Sequence, residues 1–290
     1  MNLSKYETLV KVVELGSLKK AAEEFQCTQS AVSHALASLE EELGFTVLTR
    51  SRAGVKLTGD GERILPAVRA VLTSQEQLSQ IASAVRGLQS GTVRIGSFTS
   101  VAVHWLPAII KNFQRDYPDV DIKLLNGDYY DVESWLMDGS IDIGFVNMPC
   151  RVCPCQALKE DRLVAILPRD HKFANYPKFP LRQCEREPFI TLLESSNHDA
   201  RKALDAAGIT PNIKFSTKDD YAIIAMVEQG LGISIMPELL MRRRQDDLKI
   251  LELVPPVSRT IGLAIPQSSK KSPATLRFAE YITGWIKENG

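Results

Sequence analysis

The sequence has no apolar run approaching the ~18 residues needed to cross a bilayer. Its first twenty residues, MNLSKYETLVKVVELGSLKK, lack the apolar core and small-residue cleavage site of an export signal. The expected location is the cytoplasm, with no membrane partner. Neither sign of charge is in excess, since 35 Lys and Arg stand against 35 Asp and Glu in 290 residues. A uniformly basic nucleic-acid wrapper is excluded. A binder with locally placed charge is not, because binding depends on where charge sits rather than on its sum. Histidine is scarce: beyond His34, only His104, His171 and His198 occur, without triad spacing. The patterns G-x-G-x-x-G, G-x-x-x-x-G-K-[ST] and G-x-S-x-G are missing. No enzyme and no cofactor are therefore expected. Five cysteines, an odd number in a long chain without export features, do not suggest a disulfide framework. What remains is ordinary globular usage, 44% hydrophobic and 24% charged, which excludes wholesale disorder. The length suits about two domains.

Residues 1–58 read as three short helices and a hairpin. Leu3, Leu9, Val10, Val12 and Val13 form one helical face, with Ser4 as a candidate N-cap and Gly16 as the stop. Ser17 caps a second helix over 18–25. After the break at 26–28, a third runs from Gln29 to Leu43, and Gly44 closes it. Its expected core face includes Ala31, Val32 and Leu36, and Cys27 just ahead of it is expected to be packed. Strand-like pieces at 47–49 and 55–57 flank Ser51-Arg52-Ala53-Gly54, a hairpin with a glycine-containing turn. Short helices joined by tight breaks and followed by a hairpin describe a winged helix-turn-helix. No acidic residue falls between positions 25 and 39, or between 43 and 59, as a surface approaching phosphates requires. Gln29, Ser33 and His34 on the third helix suit base or phosphate contact. Arg50 and Arg52 suit the backbone or minor groove.

From 59 to 90 the pattern is one long helix. Ile64, Val68, Val71, Gln75, Leu78, Ala82 and Val85 alternate spacings of four and three, a heptad seam with one polar position. This favours a dimerisation helix over one lying on its own domain. From residue 91 strands alternate with helices, which implies parallel or mixed sheets covered on both faces. Nearly 200 residues of such alternation fit two α/β lobes better than one sheet. The expected division is lobe I at about 91–160 plus 266–290 and lobe II at about 161–265, with the chain crossing near 158–162 and 265–269. The helix over 102–116 contains Pro107, where a kink is expected.

The run AAEEFQCTQSAVSHALASLEEELG at 21–44, with LTRSR at 48–52 and LTGDG at 57–61, strongly resembles the DNA-binding segment of LysR-type transcriptional regulators. SIDIGF at 140–145 and VEQGLGISIMP at 227–237 match the same family, and the resemblance covers essentially the whole chain. It implies an α plus α/β architecture: an N-terminal winged helix-turn-helix, a long linker helix and a C-terminal two-lobed, periplasmic-binding-protein-like effector domain. The implied partners are double-stranded promoter DNA, a small polar or anionic effector, a second copy through the linker helix, a homotetramer beyond that, and RNA polymerase. Carried over by position, Gln29, Ser33 and His34 contact bases or phosphates, and Thr28 and Ser30 meet phosphate at the helix N-terminus. Many relatives have Arg where this chain has His34.

In open α/β sheets ligands bind beyond the carboxyl ends of strands. Ser97, Thr99 and Ser100 follow one strand, Asn147 another, and Ser195 and Ser196 a third. The resemblance implies an effector pocket at these same segments. Glu194 beside them would repel an anion unless it points away. Cys150-Arg151-Val152-Cys153-Pro154-Cys155 follows the second segment. Three readings stay open for Cys150, Cys153 and Cys155: a surface loop that contains thiols, a reversible redox pair, or a metal site. A redox- or metal-responsive regulator is thus the alternative to one sensing a small molecule.

Residues 1–58 balance seven Lys or Arg against seven Glu, with the acids flanking the recognition segment. Such a head concentrates its DNA contacts in a few positions. Its affinity should fall only shallowly as salt rises, measurable as the slope of log K against log salt concentration. A steep slope, which signals many phosphate contacts per head, would contradict this.

Overall fold

The computed structural model describes residues 3–51, 54–85, 90–193, 199–242, 248–267 and 272–289. Three helices, α1 (Leu3–Leu15), α2 (Leu18–Glu24) and α3 (Gln29–Leu43), enclose a small core. Leu9, Val12, Ala21, Val32, Leu36 and Leu39 fill it. The starts of α2 and α3 are capped: Ser17 accepts from the Lys20 amide and Thr28 from that of Ala31. Gly44, at φ 81°, closes α3 in the left-handed conformation that glycine adopts without strain. The wing is an antiparallel hairpin of β1 (Leu48–Ser51) and β2 (Gly54–Leu57). Glu40 on α3 anchors it, its Oε1 accepting from the amides of Val47 at 2.8 Å and Leu48 at 3.2 Å.

The linker helix α4 (Gly59–Val85) starts directly under the wing. Gly61 lies so close to the Val47 carbonyl that any side chain there would collide with it. At 1.5 Å per residue the helix is about 40 Å long. Its heptad seam is divided between two jobs. Val68 is buried in the head core and Ile64 packs against it. Val71, Gln75, Leu78, Ala82 and Val85 stay exposed. A different and polar face of α4 lies on the chain's own lobe I: Arg69 pairs with Asp138 at 2.7 Å, Glu76 with Arg94 at 2.6 Å, and Gln80 accepts from Ser272 at 2.7 Å. The helix therefore both rests on its own domain and leaves an apolar stripe uncovered, where the spacing had suggested one or the other.

Lobe I is built from β3 (Gly91–Ser97), α5 (Thr99–His104), α6 (Leu106–Asp116), β4 (Val120–Asn126), α7 (Tyr129–Asp138) and β5 (Ile143–Asn147). The helix expected over 102–116 is two helices that break at buried Trp105, with Pro107 in the first turn of α6, where its missing N–H costs nothing. Next come β6 (Cys155–Pro168), β7 (Phe179–Pro180), β8 (Phe189–Leu192), α8 (Asp199–Ala206), β9 (Ile213–Thr217), α9 (Asp220–Glu228), β10 (Ser234–Pro237), β11 (Leu248–Val254), β12 (Ser258–Ala264) and α10 (Pro273–Asn289). Helix α10 returns to lobe I, burying Ala274, Phe278, Ile282 and Ile286 at four-residue spacing. Phe278 meets Phe113 edge to face at 4.9 Å.

One mixed sheet runs through both lobes in the order β4-β3-β5-β12-β6-β11-β7, with β10 also on β6, and β8-β9 form a separate parallel pair. Strand β6 is the shared element. Its first part, to Arg162, pairs with β12, and from Leu163 it pairs with β10 and β11. Strand β6 thus changes partners at 162–163, and Ile261–Ala264 of β12 already pair with β5 of lobe I. Strand alternation could not reveal this, because β12 is apolar throughout its lobe I half whichever lobe it belongs to.

Candidate functional site

The head presents the first half of α3. Val32, Leu36 and Leu39 turn inward, and Gln29, Ser30 and His34 are exposed. Ala31, expected in the core, is exposed as well, because it lies off the face of α3 on which Val32, Leu36 and Leu39 are buried. Cys27 is likewise exposed, in a tight turn where Gln26 takes φ 53°. Thr28 and Ser30 share a hydrogen bond of 2.9 Å while the Thr28 hydroxyl also caps the helix. Arg50 of β1 donates to Ser33 Oγ at 3.2 Å, tying wing to helix. Gln29, Ser30, Ser33, His34 and Arg50 therefore share one surface with Thr28 at its rim. Arg52 lies outside the described residues.

Between the lobes is a cavity of about 250 Å³, walled by the α5 start, the 126–131 turn, Leu192, the start of α8, Lys218, Asp220 and Arg259. Thr99 and Ser100 are in this wall. Ser97 is not: it is wholly buried, and its hydroxyl donates to the Phe98 carbonyl at 3.2 Å. As the last residue of β3 it belongs to the sheet rather than to its mouth. Asn147 is also outside the wall, but its Nδ2 donates at 2.6 Å to Asp199, which is in it. Ser195 and Ser196 lie outside the described residues.

The floor is a buried charge network that the sequence reading missed. Arg259 on β12 is 6% exposed. Its Nε and Nη2 donate to Asp161 on β6 at 2.9 and 2.7 Å, and Nη2 also donates to Ser100 at 2.7 Å. Nη1 donates to the Tyr129 hydroxyl and lies 3.5 Å from Asp199 Oδ2. Tyr129 in turn donates to Asp199 Oδ2 at 2.6 Å, and the guanidinium sits over the Phe98 ring at 4.9 Å. Burial opposes the charge on Arg259, yet Tyr129, Asp161 and Asp199 more than offset it and hold its pKa above the ordinary value. Burial, reinforced by Asp199, pushes the Tyr129 phenol far above the usual range, so it stays a donor. Two signals were available in the sequence: a lone Arg in a strand otherwise apolar or small, and an Asp opening a helix that the pattern had already located.

Cys150, Cys153 and Cys155 are half-buried, packed beside the apolar cluster of Val132, Leu136, Ile141, Val146 and Ala264. Among the described residues no group of three His, Cys, Asp or Glu is arranged to hold a metal ion. Cys184 is buried in lobe II, and burial pushes its thiol up to about 12, which makes it inert. No described helix is long and apolar enough to cross a membrane.

Two family descriptions match the chain: "Bacterial regulatory helix-turn-helix protein, lysR family" over residues 3–62 and "LysR substrate binding domain" over residues 86–287. The HTH-type transcriptional regulator YvbU of Bacillus subtilis is 31% identical over 283 residues, 97% of each chain. Full-length OxyR C199D from Pseudomonas aeruginosa shares the fold with TM-score 0.77 at 21% identity, covering 99% of this chain and 95% of that one. Full-length CbnR, in a crystal structure with its target DNA, does so with TM-score 0.66 at 20% identity, covering 97% and 99%.

Removing the cation from the floor leaves Asp161 and Asp199 buried without a counter-charge. Arg259→Ala should lower the unfolding free energy of the regulatory half by about 3–5 kcal/mol, read from denaturant titration. A loss below about 1 kcal/mol would show that the network does not hold the lobes together.

Proposed function

The chain belongs to the LysR family of transcriptional regulators, and from that membership we propose how its parts divide the work of a DNA-binding regulator with an effector domain. The observation that carries the reading is the exposed polar half of α3 joined to Arg50 of the wing, with no carboxylate along either segment. Gln29 reads a base edge, for which its amide suits adenine. Ser33, His34 and Arg50, together with Arg52, hold phosphate or groove, and Thr28 and Ser30 meet phosphate at the helix N-terminus. The protein acts in the cytoplasm and without catalysis.

The uncovered stripe of α4 forms the dimer. Leu78 is 68% exposed and Val85 82%, with Val71 and Ile81 near them, an apolar run that a lone helix would not leave in water. Dimers pair into tetramers as an extension of this reading. The cavity between the lobes takes the small-molecule effector, with Thr99 and Ser100 as its hydroxyl contacts and Asn147 acting through Asp199. Ser195 and Ser196 stay assigned as effector contacts from the sequence pattern alone. Thiol sensing gains no comparable support, since the three clustered cysteines pack beside an apolar cluster.

Protection of genomic promoter fragments by the full chain tests the assignment. Gln29→Ala should weaken specific binding by about 1–3 kcal/mol, roughly 5- to 150-fold, and relax the sequence preference. Leu78→Glu should halve the solution mass in ultracentrifugation. Unchanged protection in the first variant, or unchanged mass in the second, would remove the corresponding role.

A further inference from the structure

Glu40 is the first acid after the carboxylate-free segment 25–39. A carboxylate on a DNA-facing helix repels phosphate unless its charge is engaged elsewhere. Glu40 is engaged. Its Oε1 takes the Val47 amide at 2.8 Å and the Leu48 amide at 3.2 Å, where the chain enters β1. Seven residues earlier on α3, Ser33 Oγ accepts from Arg50 Nη1 at 3.2 Å. Seven residues make nearly two full turns, so Ser33 and Glu40 lie on one side of α3, about 10.5 Å apart. The two contacts hold β1 along the helix at two points. One fixes the backbone where the strand begins, and the other receives the Arg50 side chain two residues on.

Other bonds at the base of the wing hold other parts of it. The Val55 amide donates to the Gly16 carbonyl at 3.1 Å, the Thr58 amide to the Val47 carbonyl at 3.0 Å, and the Thr58 hydroxyl to the Thr46 carbonyl at 2.9 Å. The Val47 side chain is itself wholly buried. The hairpin therefore stays attached to the head without Glu40. What Glu40 sets is the direction in which β1 leaves it. Leu48 and Arg50 face the same side of the strand, so that direction decides where the guanidinium lies over α3. Two N–H groups on one charged oxygen fix an angle as well as a distance, through bonds stronger than neutral ones.

We propose that Glu40 is a positioning residue for DNA binding. It acts through Arg50, aiming β1 so that the guanidinium meets a phosphate in a geometry set before the duplex arrives. This rests on the reading of Arg50 as a phosphate contact.

The number of phosphate contacts is read from the slope of log K against log salt concentration, measured with full-length protein on a promoter fragment that it protects. Arg50→Ala should lower that slope by about 1 per head and weaken all sequences alike, roughly tenfold at low salt. Glu40→Ala should reproduce both changes. Electrostatics alone predicts the opposite sign, because this variant removes a negative charge near DNA. Glu40→Gln keeps the accepting oxygen and should recover most of the loss. The double variant Glu40→Ala/Arg50→Ala should bind no more weakly than Arg50→Ala, since no arginine is left to aim. Preference for the protected sequence over one altered at its preferred bases should survive in every variant.

Unchanged or tighter binding by Glu40→Ala, or losses that add in the double variant, overturns the positioning role and leaves Arg50 as a contact. Loss of sequence preference along with affinity in Glu40→Ala overturns it too, because the residue would then hold the whole head. If Arg50→Ala leaves the slope unchanged, the phosphate reading of Arg50 falls first and the proposal with it.

Discussion

The buried pairing of Arg259 with Asp161 is the contact on which the regulatory half turns. Both residues sit on the two strands that run between the lobes, β12 and β6. Neither charge could be buried alone, since desolvating an ion costs several kcal/mol unless a partner and further hydrogen bonds offset it. The offset comes from both sides. Lobe I supplies Ser100 and Tyr129, and lobe II supplies Asp199 and the Leu239 amide, which donates to Asp161 at 2.9 Å. The network fixes the relative position of the lobes by hydrogen-bond geometry, beside the apolar packing of Leu239 in the lobe I core.

The linker helix shows the opposite assignment of chemistry to faces. A surface helix ordinarily turns its apolar side to its own domain and its polar side to water. In α4 the polar side chains Arg69, Glu76 and Gln80 engage lobe I while Leu78 and Val85 face outward. The ion pairs fix orientation more than they add stability, because partly exposed pairs contribute little. The apolar stripe retains a driving force for association. Fixing the helix to lobe I and freeing its stripe ties the geometry of a dimer to the geometry of the sensor.

Much of this could be read from sequence wherever one local cause decided the outcome. Helix α3 runs from Gln29 to Leu43 as the cap at Thr28 and the glycine at 44 require, and the family's head and effector domains follow from motifs with specific residue order. The cleft's floor was not legible. Asp161, Asp199 and Arg259 are separated by 38 and 60 positions; the first and last meet because β6 and β12 lie side by side, and Asp199 is brought to them by the start of α8. Of the hydroxyls picked out after β3, Thr99 and Ser100 line the cavity and Ser97 does not. Ser97 and Ser100 have the same chemistry three residues apart, and whether β3 ends before or after position 97 decides which of them reaches the cavity.

How the cleft would speak to the DNA heads follows from which parts are bonded together. Helix α4 is joined to lobe I by two ion-pair sites and the Gln80–Ser272 bond, and its first turns are packed in the head core through Val68. Head, linker and lobe I therefore form one bonded series, and lobe II is held to it through β6, β12 and the Arg259 network. A ligand that prefers one lobe angle over another by a factor α can shift that angle's population by no more than α.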